Sequence, residues 1–414
     1  MNILFYGNTD NLGFRVTKAL RTGGFNAHLL LYTDVKMLTS SSDRSLPEFA
    51  NPQYNNNYPE WVHTCKRSFL DDFFITFAAK KIVDKVNPAI ILTSGNCVVP
   101  AVKTKLPVIF IPGGSDITKI PFGIRSDSYS SNIKKRLKCG VFLYLITKLL
   151  NCYSWLRAVA TSRAIKKDNL TAILTSQEDC IWASKFLDVY NKVVLFPIYE
   201  DVSFIKSNIN KDLYEKLTKK YSQYKLVFMA LSRKNINPSD IAYKGQEKIL
   251  YAFQSFVSKT KLGPDDIRLV LGMHGNNVDE FRYLISSLSL EPYVEQVGHL
   301  NTQDLHTYVS LDNACVLDEF GTSAEYSLGG LARETLCIGT PIVSATKVYD
   351  ERFINSHGKE CPLIPAYTEE EIEKAMSHLL DLDRKKYKEQ STKWMLENFD
   401  WKVGINKLSK VLNK

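Results

Sequence analysis

The 414-residue sequence lacks a Cys-x-x-Cys pair and any cluster of cysteine and histidine at metal-ligand spacing. Its eight cysteines are scattered, which argues for reduced thiols and against a disulfide framework or a structural zinc site. No uncharged apolar run approaches the roughly 20 residues that a membrane-spanning helix needs. The first residues, MNILFYGNTD, lack the basic segment and the long apolar core of a secretory signal. We therefore expect a cytoplasmic protein without a resident metal.

The composition is that of a folded protein, with 44% hydrophobic and 23% charged residues, and the length predicts two domains. The net charge of +9 is unevenly placed. Residues 1–200 hold 25 Lys and Arg against 15 Asp and Glu, and residues 201–414 hold 28 against 29. Most of the excess lies between Arg125 and Lys167, where ten basic residues accompany one acid, Asp127. Such a local patch predicts a particular partner surface.

Short apolar runs alternate with helical patterns, as in parallel sheets covered by helices on both faces. The first series starts at Ile3–Tyr6 and the second at Lys225–Ala230. Residues 38–64, rich in Ser, Asn and Pro, are predicted to form a long loop, and Leu70–Val86 one helix. The other predicted strands are Ala27–Tyr32, Ala89–Leu92, Val108–Ile111, Ala172–Leu174, Val193–Leu195, Arg268–Leu271, Val294–Val297, Ala314–Leu317 and Ile342–Ser344.

Two successive series predict an α/β protein of two Rossmann-like, doubly wound parallel-sheet domains facing a cleft. We expect an N-terminal domain at 1–203, a second domain at 204–385, and a helical tail at 386–414 that crosses back to the first. Ligands of such sheets bind at the carboxyl ends of the strands. The loops of interest therefore follow Tyr6, Ile111, Ala230 and Leu317.

One of these loops, within Asp318–Val343, has the features of a phosphate site. The paired glycines Gly329 and Gly330 precede a short helix, so that backbone N–H groups and the helix dipole are open to an anion. Glu334, about one turn into this helix, suits a pair of sugar hydroxyls. A plain turn followed by a solvated helix is the competing interpretation.

Two basic residues follow the first strand of the second series. Arg233 comes directly after that strand, and Lys244 ends the same loop. Arginine offers a planar fork and lysine a point charge, so together they can clamp a diphosphate and stabilise it as a leaving group. The alternative is a pair of solvated basic residues beside a helix N-terminus.

These motifs, in this order, resemble the donor site of GT-B glycosyltransferases, and most closely the retaining family-four type. The pattern comprises Arg233, Lys244-Gly245, Asp318-Glu319-Phe320, Gly329-Gly330, Glu334 and Gly339-Thr340-Pro341. The likeness covers most of the C-terminal half. The opening MNILFYGNTDNLGFRVTKALRTGG also resembles the first strand, loop and helix of such enzymes, and residues 112–117 resemble their acceptor-domain loop.

The resemblance implies roles for these residues. Arg233 and Lys244 would hold the diphosphate of a UDP- or GDP-sugar, and Glu334 would bind the ribose. The amides at Gly329 and Gly330 would meet a phosphate or the sugar. GT-B enzymes use Arg and Lys where other glycosyltransferases use a metal, so no cofactor beyond the donor substrate is implied.

The acid that contacts the transferred sugar stays open, because the chain departs from the family pattern. The family has two glutamates separated by seven residues, but Tyr326 stands at the upstream position relative to Glu334. Glu325 is one position away, and Asp318 and Glu319 lie further upstream. We therefore predict Glu319 or Glu325 as a catalytic acid.

The loop after Ile111 also departs from the family pattern, because Gly113 or Gly114 stands where the family has a histidine. Asp116 either takes over part of that work or caps the following turn. The retaining type needs no protein base, whereas an inverting enzyme would use Asp116 as its candidate base. Three residues are candidates for lining the cleft: Asn11, Gly13 and Gly114.

The basic stretch Ile133–Leu156 joins a Lys/Arg cluster to an aromatic and aliphatic run too short to span a bilayer. It predicts contact with an anionic membrane surface, and a core helix with a solvated basic end is the alternative. No nucleic-acid-binding motif accompanies it, so nucleic acid is not expected as a partner.

The whole pattern predicts a hexosyltransferase, peripheral on the inner face of the membrane, that transfers sugar to a saccharide or lipid-linked acceptor. By analogy with the family, the setting is surface-polysaccharide or glycolipid biosynthesis. Two alternatives remain. One is a nucleotide-sugar epimerase of the same fold, and the other is a non-catalytic membrane scaffold.

Overall fold

A computed structural model describes residues 1–8, 12–32, 58–66, 69–112, 140–175, 178–196, 199–237, 243–275, 277–321 and 325–412, with the backbone alone at 140–151 and 178–179. The chain divides into two compact units. Residues 1–198 and 404–414 form one unit, and residues 199–403 form the other. The division thus falls at 198/199, close to the expected 203/204, and residues 386–403 of the expected tail group with the second unit.

The first unit contains a sheet of seven parallel strands in the order β3-β2-β1-β4-β5-β6-β7. Its central strands are short apolar runs buried along their whole length, as expected for a parallel sheet covered on both faces. The strands are β1 Asn2–Tyr6, β2 Asn26–Tyr32, β3 Val62–Cys65, β4 Ile90–Thr93, β5 Val108–Phe110, β6 Leu170–Thr175 and β7 Val193–Leu195.

The helices of the first unit connect these parallel strands. Ile405, in the C-terminal helix, lies against Gly23 after the first helix, which places the end of the chain in this unit. The longest described helix has 26 residues, and no described helix is long and apolar enough to cross a membrane. The helices are α1 Leu12–Thr22, α2 Phe77–Val86, α3 Val98–Lys103, α4 Gly140–Ile165 and α5 Glu178–Phe186, together with the C-terminal α15 Trp401–Leu412.

Two elements of the first unit differ from the prediction. Strand β3 overlaps the end of the segment 38–64 that was expected to be a loop. The predicted helix from Leu70 begins only at Phe77, after a 3-10 turn at Phe69–Asp72. The cause is a buried hydrogen-bond cluster, in which Asp71 Oδ1 accepts from Tyr32 Oη (3.0 Å) and Thr76 Oγ1 (2.8 Å). These contacts between distant segments hold the chain out of helical geometry.

The second unit contains six parallel strands in the order β10-β9-β8-β11-β12-β13, which is the strand order of dinucleotide-binding folds. The strands are β8 Leu226–Ala230, β9 Ile267–Gly272, β10 Val294–Val297, β11 Ala314–Leu317, β12 Ile342–Ser344 and β13 Ile364–Pro365. The helices are α6 Val202–Ser207, α7 Lys211–Tyr221, α8 Glu247–Thr260, α9 Val278–Ser287, α10 Thr302–Val309, α11 Gly330–Ile338, α12 Glu351–His357, α13 Glu369–His378 and α14 Arg384–Asn398.

The core of the second unit packs on both faces of β8. On one face the ring of Phe228 meets Phe253 and Phe256 nearly edge-on, with centroids 5.8 and 5.5 Å apart. Each such buried ring stabilises the fold by about 1.5–3 kcal/mol. Strand β8 pairs with β9 on one side and β11 on the other, so the strand order reverses between β8 and β11. The loops after these two strands flank the position where ligands bind such sheets.

Candidate functional site

The loop after β8 presents two adjacent cations in different environments. Arg233 is exposed, whereas Lys234 is 0% exposed. The Lys234 ammonium donates to Ala230 O (2.9 Å) and Ser232 O (3.1 Å), and to Gln246 Oε1 (2.9 Å) at the start of α8. Lys234 was not predicted as a site residue, although it directly follows Arg233 after a buried strand.

Lys244 and Gly245 join the loop after β8 to the loop after β11. The carbonyl of Lys244 accepts from Phe320 N (2.7 Å) and Gly321 N (3.1 Å). Gly245 has φ +60°, and a Cβ there would lie 2.5 Å from the carbonyl carbon of Phe320. The close approach therefore requires glycine, and it fixes Lys244 beside the acids that follow β11.

These acids, Asp318 and Glu319, are both buried. Asp318 accepts a hydrogen bond from Ser232, and Glu319, 6% exposed, forms an ion pair with Lys244. Burial raises the pKa of Asp318, against the opposing effects of Lys244, the Ser232 hydrogen bond and Lys234. Burial lowers the pKa of Lys244, with Asp318 opposing and Arg233 adding to the shift. These side chains thus share one electrostatic environment.

Helix α11 begins beside the same cluster. Gly329 is its N-cap and Gly330 its first residue, and a Cβ at Gly330 would meet no atom within 4 Å. The carboxylate of Glu319 lies against Gly329, and its Oε2 has no hydrogen-bond partner in the described part of the chain. A buried carboxylate therefore stands beside the helix end that favours anions.

Glu334 lies one turn into α11 and is 21% exposed. Its Oε2 is 3.4 Å from His306 Nε2, and the other ring nitrogen of His306 is 3.1 Å from Asn208 Nδ2. The neighbouring Arg333 instead pairs with buried Glu200 (2.7 Å). His306 and Asn208 were not predicted as site residues, because their polar atoms come together only in the folded chain.

Glu325 is engaged by a different cation. Its Oε2 is 2.8 Å from Lys347 Nζ, and its carbonyl accepts from Lys347 N (2.7 Å). The guanidinium of Arg352 lies 3.6 Å from the ring centroid of Tyr326. The two candidate acids for the sugar thus have separate surroundings, with Lys244 at Glu319 and Lys347 at Glu325.

Gly13 is the only described residue among those expected to line the cleft or supply the base. A Cβ at Gly13 would lie 2.9 Å from the ring of Phe5, and Asn8 Oδ1 accepts from Phe14 N (2.7 Å). Gly13 therefore allows α1 to approach β1 closely. The remaining candidates lie outside the described residues: Asn11, Gly114 and Asp116.

Within the described ranges, no group of three or more His, Cys, Asp or Glu side chains is placed to hold a metal ion. The cationic side chains at the site are those of Arg233, Lys234 and Lys244. The arrangement can therefore neutralise an anion with side chains and backbone amides.

No protein-family model and no curated protein matches the sequence. Solved structures do match along the whole chain. HepE of Anabaena in complex with UDP is 13% identical, with a TM-score of 0.63 and 100% of both chains covered. Sucrose-phosphate synthase from Thermosynechococcus elongatus is 12% identical, with a TM-score of 0.59, covering 100% of this chain and 98% of that chain.

A third match is a putative UDP-N-acetylglucosamine 2-epimerase from Listeria monocytogenes. It is 11% identical, with a TM-score of 0.53, covering 99% of this chain and 95% of that chain. At such identities the likeness establishes the fold, which is the GT-B architecture of two parallel-sheet, Rossmann-like domains. The expected fold class is thereby confirmed. Transferases and an epimerase share this fold, so the choice of activity depends on the site.

Proposed function

We propose that the protein is a glycosyltransferase that transfers a hexose from a UDP- or GDP-sugar to a saccharide or lipid-linked acceptor. One observation carries the proposal. Two cations, a helix N-terminus and a carboxylate one turn further on converge at the switch point of the second sheet. This is the set of groups that a nucleotide diphosphate-sugar requires. Anabaena HepE, which shares the fold, has been solved with UDP-glucose.

In this proposal Arg233 and Lys244 bind the diphosphate, and the amides at Gly329 and Gly330 meet a phosphate or the sugar. Glu334, which lies beside His306, binds the ribose hydroxyls. As the glycosidic bond breaks, negative charge develops on the diphosphate, so the cations act most strongly in the transition state. With retention, the leaving phosphate deprotonates the acceptor, and no cofactor is needed.

Glu319 and Glu325 remain the two candidates for contact with the transferred sugar. Glu319 is the nearer to the clamp, because it is paired with Lys244 itself. Asp116 remains the proposed base if the reaction proceeds with inversion. Nuclear magnetic resonance of the anomeric proton in the product decides between retention and inversion.

Arg233→Ala is expected to weaken the binding of UDP or GDP about 10- to 100-fold, because a charge-assisted hydrogen bond contributes about 1.5–3 kcal/mol. Transfer from the matching nucleotide-sugar should fall further, since the clamp acts in the transition state. Calorimetry and a transfer assay measure the two effects. Arg282→Ala is the matched control, because Arg282 is an exposed arginine of the same unit that pairs with Asp279 at 2.8 Å.

Equal affinity and turnover in Arg233→Ala and Arg282→Ala would remove the diphosphate assignment. The same assays separate the alternative functions. An epimerase converts the nucleotide-sugar without an acceptor, and a scaffold neither binds nor consumes it. Transfer to an added acceptor by the wild-type protein excludes both.

Membrane association is the second part of the proposal, and an exposed aromatic surface supports it. Phe77 is 75% exposed and Trp155 62% exposed, and Leu70, Phe74 and Leu156 are also exposed. Lys103 Nζ lies 4.3 Å from the ring centroid of Phe74, and Lys81 Nζ lies 4.4 Å from that of Phe77. Aromatic rings beside lysines suit the interface of an anionic bilayer, and Trp155 and Leu156 belong to the basic stretch 133–156 in the sequence. An inner-face location and a lipid-linked acceptor are part of the same proposal.

Replacing Lys134, Lys135, Arg136 and Lys138 by serine is expected to reduce binding to vesicles that contain phosphatidylglycerol. Each basic residue near such a surface contributes about 1 kcal/mol, so the loss should exceed about tenfold. Phe74→Ser with Phe77→Ser should lower the remaining binding. Tyr283→Ser, at an exposed aromatic position of the second unit, is the control. Equal co-sedimentation of all variants would exclude the membrane contact.

A further inference from the structure

Lys234 is a fully buried lysine with no carboxylate within ion-pair distance among the described residues. Its three ammonium donors are satisfied by neutral oxygens, one from Ala230 at the end of β8, one from Ser232 in the loop that follows and one from Gln246. Burying an ammonium costs several kcal/mol even when its hydrogen bonds are made. An apolar side chain would avoid that cost, so the charge itself needs an explanation.

The main chain of Lys234 also joins neighbouring loops. Lys234 N donates to His274 O (2.7 Å), and Lys234 O accepts from Asn277 N (3.3 Å). Gly275, at φ +116°, approaches so closely that a Cβ there would lie 2.5 Å from Lys234 O. The residue is therefore held in place from β8, from the loop after β9 and from the start of α8. A charge so fixed does not reorganise when a ligand binds.

The surrounding charges explain why a third cation matters. Asp318, Glu319 and Glu334 are the acids of the cluster, and Arg233 and Lys244 are its other cations. With all of these groups ionised, two cations against three acids leave a formal charge of −1, which repels a diphosphate. Lys234 brings the balance to zero.

We propose that Lys234 is a positioning residue of the donor site, a fixed buried cation whose field attracts the diphosphate that Arg233 and Lys244 contact. This inference rests on the proposed function. Lys234 touches no ligand in this role, because its donors are used by protein oxygens. It acts by offsetting the acids beneath the clamp, so that Arg233 and Lys244 remain available to the donor.

The proposal gives a pH dependence with a definite sign. Burial lowers the pKa of Lys234 to about 7, with Asp318 opposing, so its charge is present at pH 6 and largely lost at pH 8.5. The charged group that acts on it is Asp318 after β11, and Arg233 is its neighbour in the chain. The loop after β9 contributes His274, whose carbonyl accepts from Lys234 N, while α8 presents neutral Gln246 and α9 the ring of Phe281. Donor affinity should therefore fall as pH rises. UDP itself becomes more negative over the same range, which acts in the opposite direction.

The test measures UDP and GDP binding by calorimetry from pH 6 to 8.5 in the wild-type protein, Lys234→Gln and Lys234→Arg. Glutamine keeps neutral donors for the carbonyls and removes the charge, whereas arginine keeps the charge at every pH. A unit charge several ångströms from the diphosphate predicts that Lys234→Gln binds about tenfold more weakly at pH 6. The ratio of wild-type to Lys234→Gln affinity should then approach one at pH 8.5. The ionisation of UDP cancels in this ratio, and Lys259→Gln, in the same unit, is the control.

Four outcomes separate the possibilities. A ratio that changes with pH as stated, with affinity retained at pH 8.5 in any folded Lys234→Arg protein, supports the proposal. A ratio that is constant with pH, or equal affinity at pH 6, overturns the role of Lys234 and leaves the proposed function standing. If Lys234→Gln does not fold, the wild-type profile with a nucleotide-sugar decides, because its diphosphate diester does not titrate between pH 6 and 8.5, and affinity that does not fall over this range contradicts the proposal. Absence of nucleotide binding in the wild-type protein overturns the proposed function and this inference with it.

Discussion

Lys244→Ala is expected to abolish detectable transfer and to destabilise the second unit by about 3 kcal/mol. The two losses have different causes. Transfer is lost because a cation of the proposed diphosphate clamp is removed. Stability is lost because Glu319 remains buried without its partner, and its other oxygen already lacks a hydrogen bond in the described chain. Urea unfolding measures the second effect independently of any substrate.

A double variant separates these causes. Lys244→Ala with Glu319→Gln should recover most of the stability, because a neutral amide replaces the stranded carboxylate, but it should not recover transfer. Lys248→Ala is the matched control. Lys248 donates to Phe320 O (2.9 Å) from the same region and has no acid partner among the described ion pairs, so its loss should cost about 1 kcal/mol. If Lys244→Ala unfolds at the wild-type urea concentration, the buried pair does not contribute as described.

The strands of the second unit could be predicted closely from the sequence. Ala314–Leu317 and Ile342–Ser344 have the same bounds in the structure as in the prediction. Parallel strands are buried on both faces, so they appear as continuous apolar runs bounded by polar residues. The helix start at Gly329 and Gly330 could also be predicted, because the two glycines directly precede a helical pattern.

What could not be predicted depends on contacts between distant segments. Strand β3 is short and only partly buried, so its composition resembles that of a loop. The pairing of Lys244 with Glu319 joins residues of two different loops, and no local pattern distinguishes Glu319 from Glu325. Lys234 was missed for the same reason, since lysine is ordinarily a surface residue and its burial is decided by three oxygen atoms from two elements.

Gly245→Ala is expected to lower the free energy of unfolding by more than about 3 kcal/mol, although it adds only one methyl group. The backbone at φ +60° disfavours any side chain, and the added Cβ would meet three backbone atoms of Phe320 and Gly321 within 2.8 Å. Backbone cannot rotate aside as a side chain does, so the two loops must separate. Lys244, adjacent in the chain, would move with them.

Gly24→Ala is the matched control for this substitution. Gly24 has φ +86°, yet a Cβ there would meet no atom within 4 Å, so only the backbone conformation is penalised, by about 1–2 kcal/mol. The difference between the two variants in urea unfolding measures the steric contact between the loops. UDP or GDP binding to any folded Gly245→Ala protein should also be lost, because the bonds from Phe320 N and Gly321 N to Lys244 O orient the clamp. Equal destabilisation of the two variants, with nucleotide binding intact, would mean that Lys244 is positioned by its own side-chain contacts and not by the junction at Gly245.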